Sequence, residues 1–284
     1  MGLSIYLNFG SHLKMWIKKL LLILVLCPVC QAANNFSTSS NCKAAWNVDN
    51  GALTVDSKGT NTLTNSSITA DTAVFKEGDA SAYSDALSDD LYILDAALDA
   101  GFPLKNGDAN KKITVCMWIR SSGFPASANR VFLQKGNATG YDASFVLYFR
   151  KPASWTITMG IGVSGGTGWE TVDHGTTVSA NTWYHVGATF QDSDKSWKLR
   201  IWDDTAGAIL GGVTVSGTTT NNINIEDGAF YIGSAGADAT GGWRDEIVVF
   251  NDILTDGEID QVRAGTFGAA TPAAGGQVIM IEEF

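Results

Sequence analysis

Three tryptophan residues of this sequence occur where a sugar ring could stack on an indole. Trp155, Trp169 and Trp243 lie near the ends of predicted strands, and two of them follow the glycine-rich residues 165–168 and 241–242. The face of a pyranose ring is apolar and its edge carries hydroxyl groups, so a sugar site combines a flat aromatic surface with planar polar groups. We therefore treat these three residues as candidate ligand-binding residues. Packing in the core is the alternative for each of them.

Acidic and amide side chains collect in the predicted loops, where their oxygens could bind calcium. Calcium takes six to eight oxygen ligands from carboxylates, amides and backbone carbonyls. The candidates are Asp85, Asp89, Asp90, Glu226, Asp227, Asp245 and Asn251. No contiguous stretch has the spacing of an EF-hand loop. Solvated acidic loops are one alternative interpretation, and an Asp245 that bonds only to backbone amides is another.

Patterns that would indicate catalysis are weak in this sequence. A retaining glycosidase needs two carboxyl groups about 5–5.5 Å apart. The nearest pattern, Glu258 with Asp260, falls on a predicted helix and lacks a further acid. Asp245 and Glu246 are adjacent, so on a regular strand they point to opposite sides. His185 lies in the middle of a predicted strand, where a structural role is expected. We predict a non-catalytic protein, with a carbohydrate-active hydrolase as the alternative.

The elements that must position these residues are mostly β-strands. Residues 183–190 and 197–203 each alternate between two faces on either side of the polar turn at residues 191–195, which predicts a hairpin. Residues 112–120 are apolar on both faces, as expected for an inner strand. Strands recur with turn signals between them. The pattern predicts an all-β fold, a two-sheet antiparallel jelly-roll sandwich.

One short C-terminal helix is predicted in addition. Thr255 is a suitable N-cap and Glu258 follows three residues later, which together form a capping-box pattern. Gly265 is the residue at which the helix is predicted to end.

The N-terminal residues have the pattern of a secretory signal. Lys14, Lys18 and Lys19 precede the short apolar run of residues 20–26, and small residues end the segment at position 33. The run is too short to span a bilayer, although an uncleaved anchor is the alternative. The predicted organisation is a signal peptide at residues 1–33, a flexible leader at 34–43, the sandwich domain at 44–268, and a linker with an apolar segment at 269–284.

Charge and cysteine content narrow the possible partners. The formal net charge of −10 becomes −13 without the first 33 residues, which carry three Lys and no acid. That charge repels nucleic acid and anionic lipid. It suits a secreted, extracellular or periplasmic protein with no membrane attachment after signal cleavage.

Two cysteines remain without the first 33 residues, Cys42 and Cys116. The sequence leaves open whether they form a disulfide or are two separate thiols.

The order of several motifs resembles the laminin G-like domains of the concanavalin A-like lectin/glucanase superfamily. The motifs are residues 114–120, 181–187, 244–251 and 254–259, within a resemblance that covers about residues 44–268. It implies a concanavalin A-like sandwich that is often secreted and binds carbohydrate or protein, sometimes through calcium. The superfamily also contains glycosidases, so the fold alone does not fix the activity.

The resemblance also implies a place for the metal. In the family pattern, the turn at residues 88–90 approaches the strand that carries Asp245, so Asp89, Asp90 and Asp245 are the predicted calcium ligands.

The sequence thus predicts a secreted recognition or adhesion domain that binds a glycan or an extracellular protein surface, assisted by calcium. The alternatives are a hydrolase of the same fold and a structural subunit of an extracellular or virion assembly. In that last case residues 277–284 could add a strand to a neighbouring copy and so mediate self-association.

Overall fold

The computed structural model describes residues 33–85, 89–124, 129–137, 142–151, 153–163, 168–233 and 241–269. The strands within these ranges are β1 Cys42–Trp46, β2 Thr64–Ser66, β3 Thr69–Asp71, β4 Ser81–Ser84, β5 Asp90–Ile93, β6 Lys112–Ser121, β7 Arg130–Asn137, β8 Asp142–Arg150, β9 Thr156–Gly162, β10 Trp169–Asp173, β11 Tyr184–Gln191, β12 Ser196–Asp203, β13 Ala208–Ile209, β14 Val215–Thr218, β15 Phe230–Gly233 and β16 Gly242–Phe250. One α-helix, α1, spans Asp256–Arg263.

The strands form two antiparallel sheets. Sheet A has the order β13-β12-β11-β6-β16-β4-β3, with β1 also paired to β16 and β14 to β12. Sheet B has the order β10-β9-β8-β7-β15-β5-β2. The predicted hairpin is the pair β11–β12, and the predicted inner strand is β6, which lies between β11 and β16. The all-β, two-sheet prediction is confirmed.

The main core lies between the two sheets. Along each long strand, every second side chain points into it. On β6 these are Ile113, Val115, Met117 and Ile119, all of them buried. Trp46 of sheet A stacks on Phe230 of sheet B, with ring centroids 5.6 Å apart. The alternation seen in the sequence is therefore the alternation between core and outer face.

Helix α1 covers part of the outer face of sheet A. The predicted capping box is present, because Thr255 and Glu258 each bond to the other's backbone amide. Ile259 fits over Gly187, where an added Cβ would come within 2.4 Å of the isoleucine. A second apolar cluster forms beneath the helix and includes Val262 and Phe250.

The first described residues lie against the same outer face. Within the predicted flexible leader, residues 36–38 form a turn of 3-10 helix and Phe36 packs in the cluster beneath α1. The Asn35 amide donates to the Phe267 carbonyl at 2.7 Å. Residues 34–38 are thus fixed against the domain by specific contacts.

Cys42 and Cys116 are both free and buried. Strand β16 lies between β1 and β6, which carry the two cysteines. Because neighbouring strands are about 4.8 Å apart, the two Cα atoms are separated by roughly 10 Å. A disulfide needs less than about 7 Å. Of the two possibilities left open by the sequence, the fold supports separate thiols. Burial raises the pKa of Cys42 to about 12, which keeps its thiol protonated.

Across the described ranges, no helix has the length and apolar character needed to cross a membrane. The predicted signal peptide except Ala33, and the predicted C-terminal segment except Ala269, lie outside the described residues.

Candidate functional site

The three candidate tryptophans lie in three different places. Trp155 precedes β9 and stacks on Phe124 at the edge of the main core, with ring centroids 4.8 Å apart. Trp169 begins β10 on the outer side of sheet B, and Trp243 lies on β16 in sheet A. The structure therefore does not bring the three indoles together in one site.

The outer side of sheet B carries a band of aromatic and polar side chains, which we call face B. Its members alternate with core residues along β5, β7, β8, β9, β10 and β15. They are Tyr92, Gln134, Val146, Tyr148, Thr158, Trp169, Thr171 and Tyr231. Among the described residues, α1 is the only α-helix and it packs on sheet A, so no described helix covers face B.

Face B has aromatic rings on both sides of its centre. On one side, Trp169 packs against Tyr148 with ring centroids 6.4 Å apart. Gly160 makes room for this pair, because a Cβ there would lie 2.7 Å from Val146 and 3.2 Å from the Trp169 ring. On the other side, Tyr92 and Tyr231 contact each other at 5.9 Å. Trp169 and the two tyrosines are half-buried.

Gln134 lies at the centre of face B. It pairs across the sheet with Val146 of β8 and with Tyr231 of β15. Its side chain is fully buried, and neither the amide oxygen nor the amide nitrogen has a hydrogen-bond partner. A buried amide without partners costs about 1–3 kcal/mol. Such an unsatisfied group marks a place where a ligand or an ordered water would supply the missing bonds.

Trp243 is already engaged by its own chain. Its indole nitrogen donates to Asp71 at 2.7 Å. The guanidinium of Arg120 lies 4.9 Å from the ring, and the Tyr83 ring lies at 5.1 Å. These contacts occupy the positions that a stacked sugar would need, so packing is the better interpretation of this residue.

The three predicted calcium ligands do not meet in the structure. Asp89 and Asp90 are buried beside the fully buried Arg244, which already supplies positive charge. Burial and the charge of Asp89 raise the pKa of Asp90 to about 6. Asp245 follows Arg244 on β16 and therefore points to the other side of sheet A. Within the described ranges, no group of three or more His, Cys, Asp or Glu residues is arranged to hold a metal ion. Calcium binding stays a prediction, and the structure does not bring these three residues together in one place.

Asp245 instead bonds to backbone amides, which was one of the alternatives that the sequence left open. Its Oδ2 accepts from the amides of Lys76 at 2.7 Å and Glu77 at 3.1 Å. The carboxylate is fully buried, and its Oδ1 has no hydrogen bond of acceptable geometry. Burial raises the pKa of Asp245 to about 7, although the nearby amides lower it.

Glu246 lies beside Asp245 in a β-bulge. The pairing of β16 with β6 shifts register between Asp245 and Val248, and Glu246 has the left-handed φ of 48°. The bulge interrupts the alternation of side chains, so the expectation that the two acids point to opposite sides is wrong here. Burial, together with the charges of Asp245, Glu77 and Asp49, raises the pKa of Glu246 to about 8. We call these four acids the acidic cluster.

Two cavities adjoin the acidic cluster on the outer side of sheet A. The larger, about 580 Å³, is lined by Lys76, Glu77, Trp118 and Arg263 among others. The smaller, about 260 Å³, is lined by Glu77 and Glu246. The Lys76 ammonium lies 4.6 Å above the Trp118 ring and bonds to Asp204 at 2.7 Å. The face of the Trp118 ring in this cavity is therefore covered by a cation.

His185 has the structural role expected from its position. It is buried with its ring edge-on to Trp118 at 5.1 Å. Burial and the nearby Arg263 lower its pKa to about 3, so the imidazole is neutral at physiological pH.

The geometry of this fold agrees with a comparison against protein families. The laminin G family model described as "Concanavalin A-like lectin/glucanases superfamily" matches residues 99–260, which is more than half of the chain. The chain belongs to this superfamily. No curated protein matches its sequence.

Solved structures with the same fold are distant in sequence. Domain 4 of AbnA, a GH43 extracellular arabinanase from Geobacillus stearothermophilus solved in complex with arabinotriose, has a TM-score of 0.55 and 16% identity. The match covers 78% of this chain and 98% of that domain. The receptor-binding domain of botulinum neurotoxin type G has a TM-score of 0.52 and 12% identity, and the match covers 79% of this chain but 51% of that one. At these identities the likeness is one of fold.

Sequence analysis identified one residue of face B, Trp169, and missed the others. Trp169 was detectable because a tryptophan beside a glycine-rich turn is conspicuous. Gln134 and Tyr148 look like ordinary alternating strand residues in the sequence. Only the pairing of β7 with β8 and β15 shows that they share one surface.

Proposed function

We propose that this chain is a non-catalytic recognition domain that binds carbohydrate on face B. The observation that carries the proposal is Gln134, a fully buried amide with no partner at the centre of an aromatic surface. A side-chain amide offers both a donor and an acceptor, and a sugar ring presents adjacent hydroxyl groups that can use both.

The surroundings of Gln134 fit a sugar ring better than they fit a protein side chain or an ion. Trp169, which packs on the buried Tyr148, supplies aromatic area on one side, and Tyr92 and Tyr231 supply it on the other. On the same face, the exposed Thr171 hydroxyl accepts from Arg150 at 3.2 Å, and the buried Thr158 hydroxyl donates to Asp173. The chain has a net charge of −10, which disfavours anionic partners at long range. The proposed ligand class is therefore a neutral oligosaccharide.

One of the solved structures with the same fold supports the proposal. Domain 4 of AbnA shares the fold over nearly its whole length and was solved in complex with arabinotriose. Arabinotriose is a neutral oligosaccharide, which makes it a suitable first probe. We further propose that the protein acts outside the cell, since its N-terminal residues have the pattern of a secretory signal.

The test is a binding screen over neutral and sialylated oligosaccharides, followed by calorimetry on the best ligand. Removing an aromatic partner is worth about 0.5–1.5 kcal/mol, so we expect Trp169→Ala to weaken binding by about two- to tenfold. Trp243→Ala is the matched control on sheet A and should bind as the parent does. Equal loss in both variants, or silence on every neutral glycan, would contradict the proposal.

The hydrolase alternative is tested with the same ligands. The bound oligosaccharide is incubated with excess protein and its products are separated by chromatography. We expect it to remain intact. Cleavage that disappears in Glu246→Gln would show that the chain is an enzyme and would move the active site to the acidic cluster.

A further inference from the structure

The acidic cluster gathers four acids, and none of them forms an ion pair with another of the described residues. Asp245 is fully buried with one carboxylate oxygen unpaired, and Glu246 adjoins it in the bulge. Glu77 and Asp49 approach from the two loops that pack over β16. A buried carboxyl group without a partner takes up a proton, as the raised pKa values of Asp245 and Glu246 indicate, unless a positive group reaches it and stabilises the charged form.

The two cations that line the adjoining cavity, Lys76 and Arg263, make their close contacts with other groups. Burial raises the pKa of Glu77 and the charge of Lys76 lowers it, but the Lys76 ammonium bonds to Asp204 and lies over the Trp118 ring. Arg263, on α1, has its guanidinium 3.8 Å from the Trp202 ring. Asp79, from the same loop as Glu77, adds another acid and accepts from the Asn50 amide.

Asn34 lies at the wall of the smaller cavity together with Glu77 and Glu246. Its position is fixed on the other side: its side-chain amide donates to the Val262 carbonyl at 2.9 Å, and its amide oxygen accepts from the Phe267 amide at 2.9 Å. Asn34 is therefore held by its side chain at the cavity that Glu77 and Glu246 line.

We propose that the acidic cluster is a binding site for an ammonium group, and that its occupant is the α-ammonium of Asn34, formed when residues 1–33 are removed. An α-amino group has a pKa of about 7.7–8.0 and is mostly protonated at pH 7. It carries three donors on a short, anchored backbone, so it can reach carboxylates without the side-chain entropy that a lysine loses. Processing then completes the fold by creating a buried ion pair. The inference rests on the proposed export but not on glycan binding.

The test compares three proteins: one that begins with a free amine at Asn34, one with that amine acetylated, and one extended by Gly-Ser. All three are melted at pH 7 in low salt. We expect the free amine to melt several degrees higher than the other two. In a Glu246→Gln background this difference should shrink to near zero. Asp227→Asn, at an exposed residue outside the acidic cluster, is the control and should preserve the difference in melting temperature.

A second measurement covers the case in which a variant folds poorly. The rate at which the folded free amine reacts with an acetylating reagent is compared with that of the denatured chain, and we expect at least tenfold protection. Equal melting temperatures for the free and acetylated forms, or an unprotected amine, would overturn the inference. So would a stabilisation by millimolar calcium that is the same in all three proteins, since the cluster would then hold a metal ion.

Discussion

The substitution Gln134→Leu tests whether the buried amide on face B lacks partners in the free protein and binds the ligand. The side chain is fully buried, neither amide atom is bonded, and its neighbours across the sheet are Val146 and Tyr231. Leucine has a similar volume and no polar group. Replacing an unsatisfied buried amide removes a penalty of about 1–3 kcal/mol. Such a substitution should therefore stabilise the protein, which is unusual for a core position.

The expected gain can be measured by thermal unfolding. For a domain of this size, 1 kcal/mol shifts the melting temperature by about 2–4 °C, so the predicted rise is roughly 2–12 °C. Denaturant unfolding should show a higher midpoint with an unchanged slope. Gln261→Leu, on the exposed side of α1, is the matched control and should change stability by less than about 0.5 kcal/mol.

The same variant should lose ligand affinity, because leucine cannot bond to a sugar hydroxyl. A variant that is more stable and binds less would support the role given to Gln134. A lower melting temperature would refute the reasoning, since it would mean that the amide makes favourable contacts in the folded protein. A higher melting temperature with unchanged glycan affinity would show that the buried amide of Gln134 is unsatisfied but does not bind the glycan. The ligand site would then lie elsewhere.

Three further outcomes are expected. Gly160→Ala should destabilise the protein by about 1–3 kcal/mol in denaturant titrations, because the new methyl would overlap Val146; an unchanged midpoint would contradict this packing. In a chain that keeps the residues before position 34, stability should fall as the pH rises from about 4 to about 8, because burial raises the folded-state pKa of Asp245 to about 7 and of Glu246 to about 8. Melting curves at a series of pH values should show this fall in stability. The fall should flatten in the double variant Asp245→Asn, Glu246→Gln. Thr255→Ala should cost about 1 kcal/mol through loss of the capping box, which helix-region hydrogen exchange can localise; protection equal to that of the parent would argue against it.

The sequence carried enough information for the architecture. Strict alternation in β6, β11 and β12 identified the strands, because one or both faces of each strand pack on apolar neighbours. The capping box at Thr255 identified the helix, because its two hydrogen bonds are local. Features encoded within a few neighbouring residues were predictable for that reason.

The site depended on relations between distant residues, which a single sequence does not show. Gln134 and Trp169 are on strands separated by β8 and β9, and their common face follows only from pairing. The bulge at Asp245–Glu246 reversed a prediction that assumed a regular strand, and nothing in the two acidic residues signals it. The packing around Trp243 could not be predicted either, because Asp71 and Arg120, which contact it, come from other strands.

The pairing of Asn35 with Phe267 has a practical consequence for handling the domain. The polypeptide enters and leaves the described fold side by side, against the sheet opposite to face B. A tag, a surface tether or a fused module attached next to Asn35 or Phe267 would therefore start on the side of the domain opposite face B. Arrays of several copies joined in this way should leave face B of each copy clear of the tether, and glycan binding on face B, as proposed, would then gain avidity from several copies.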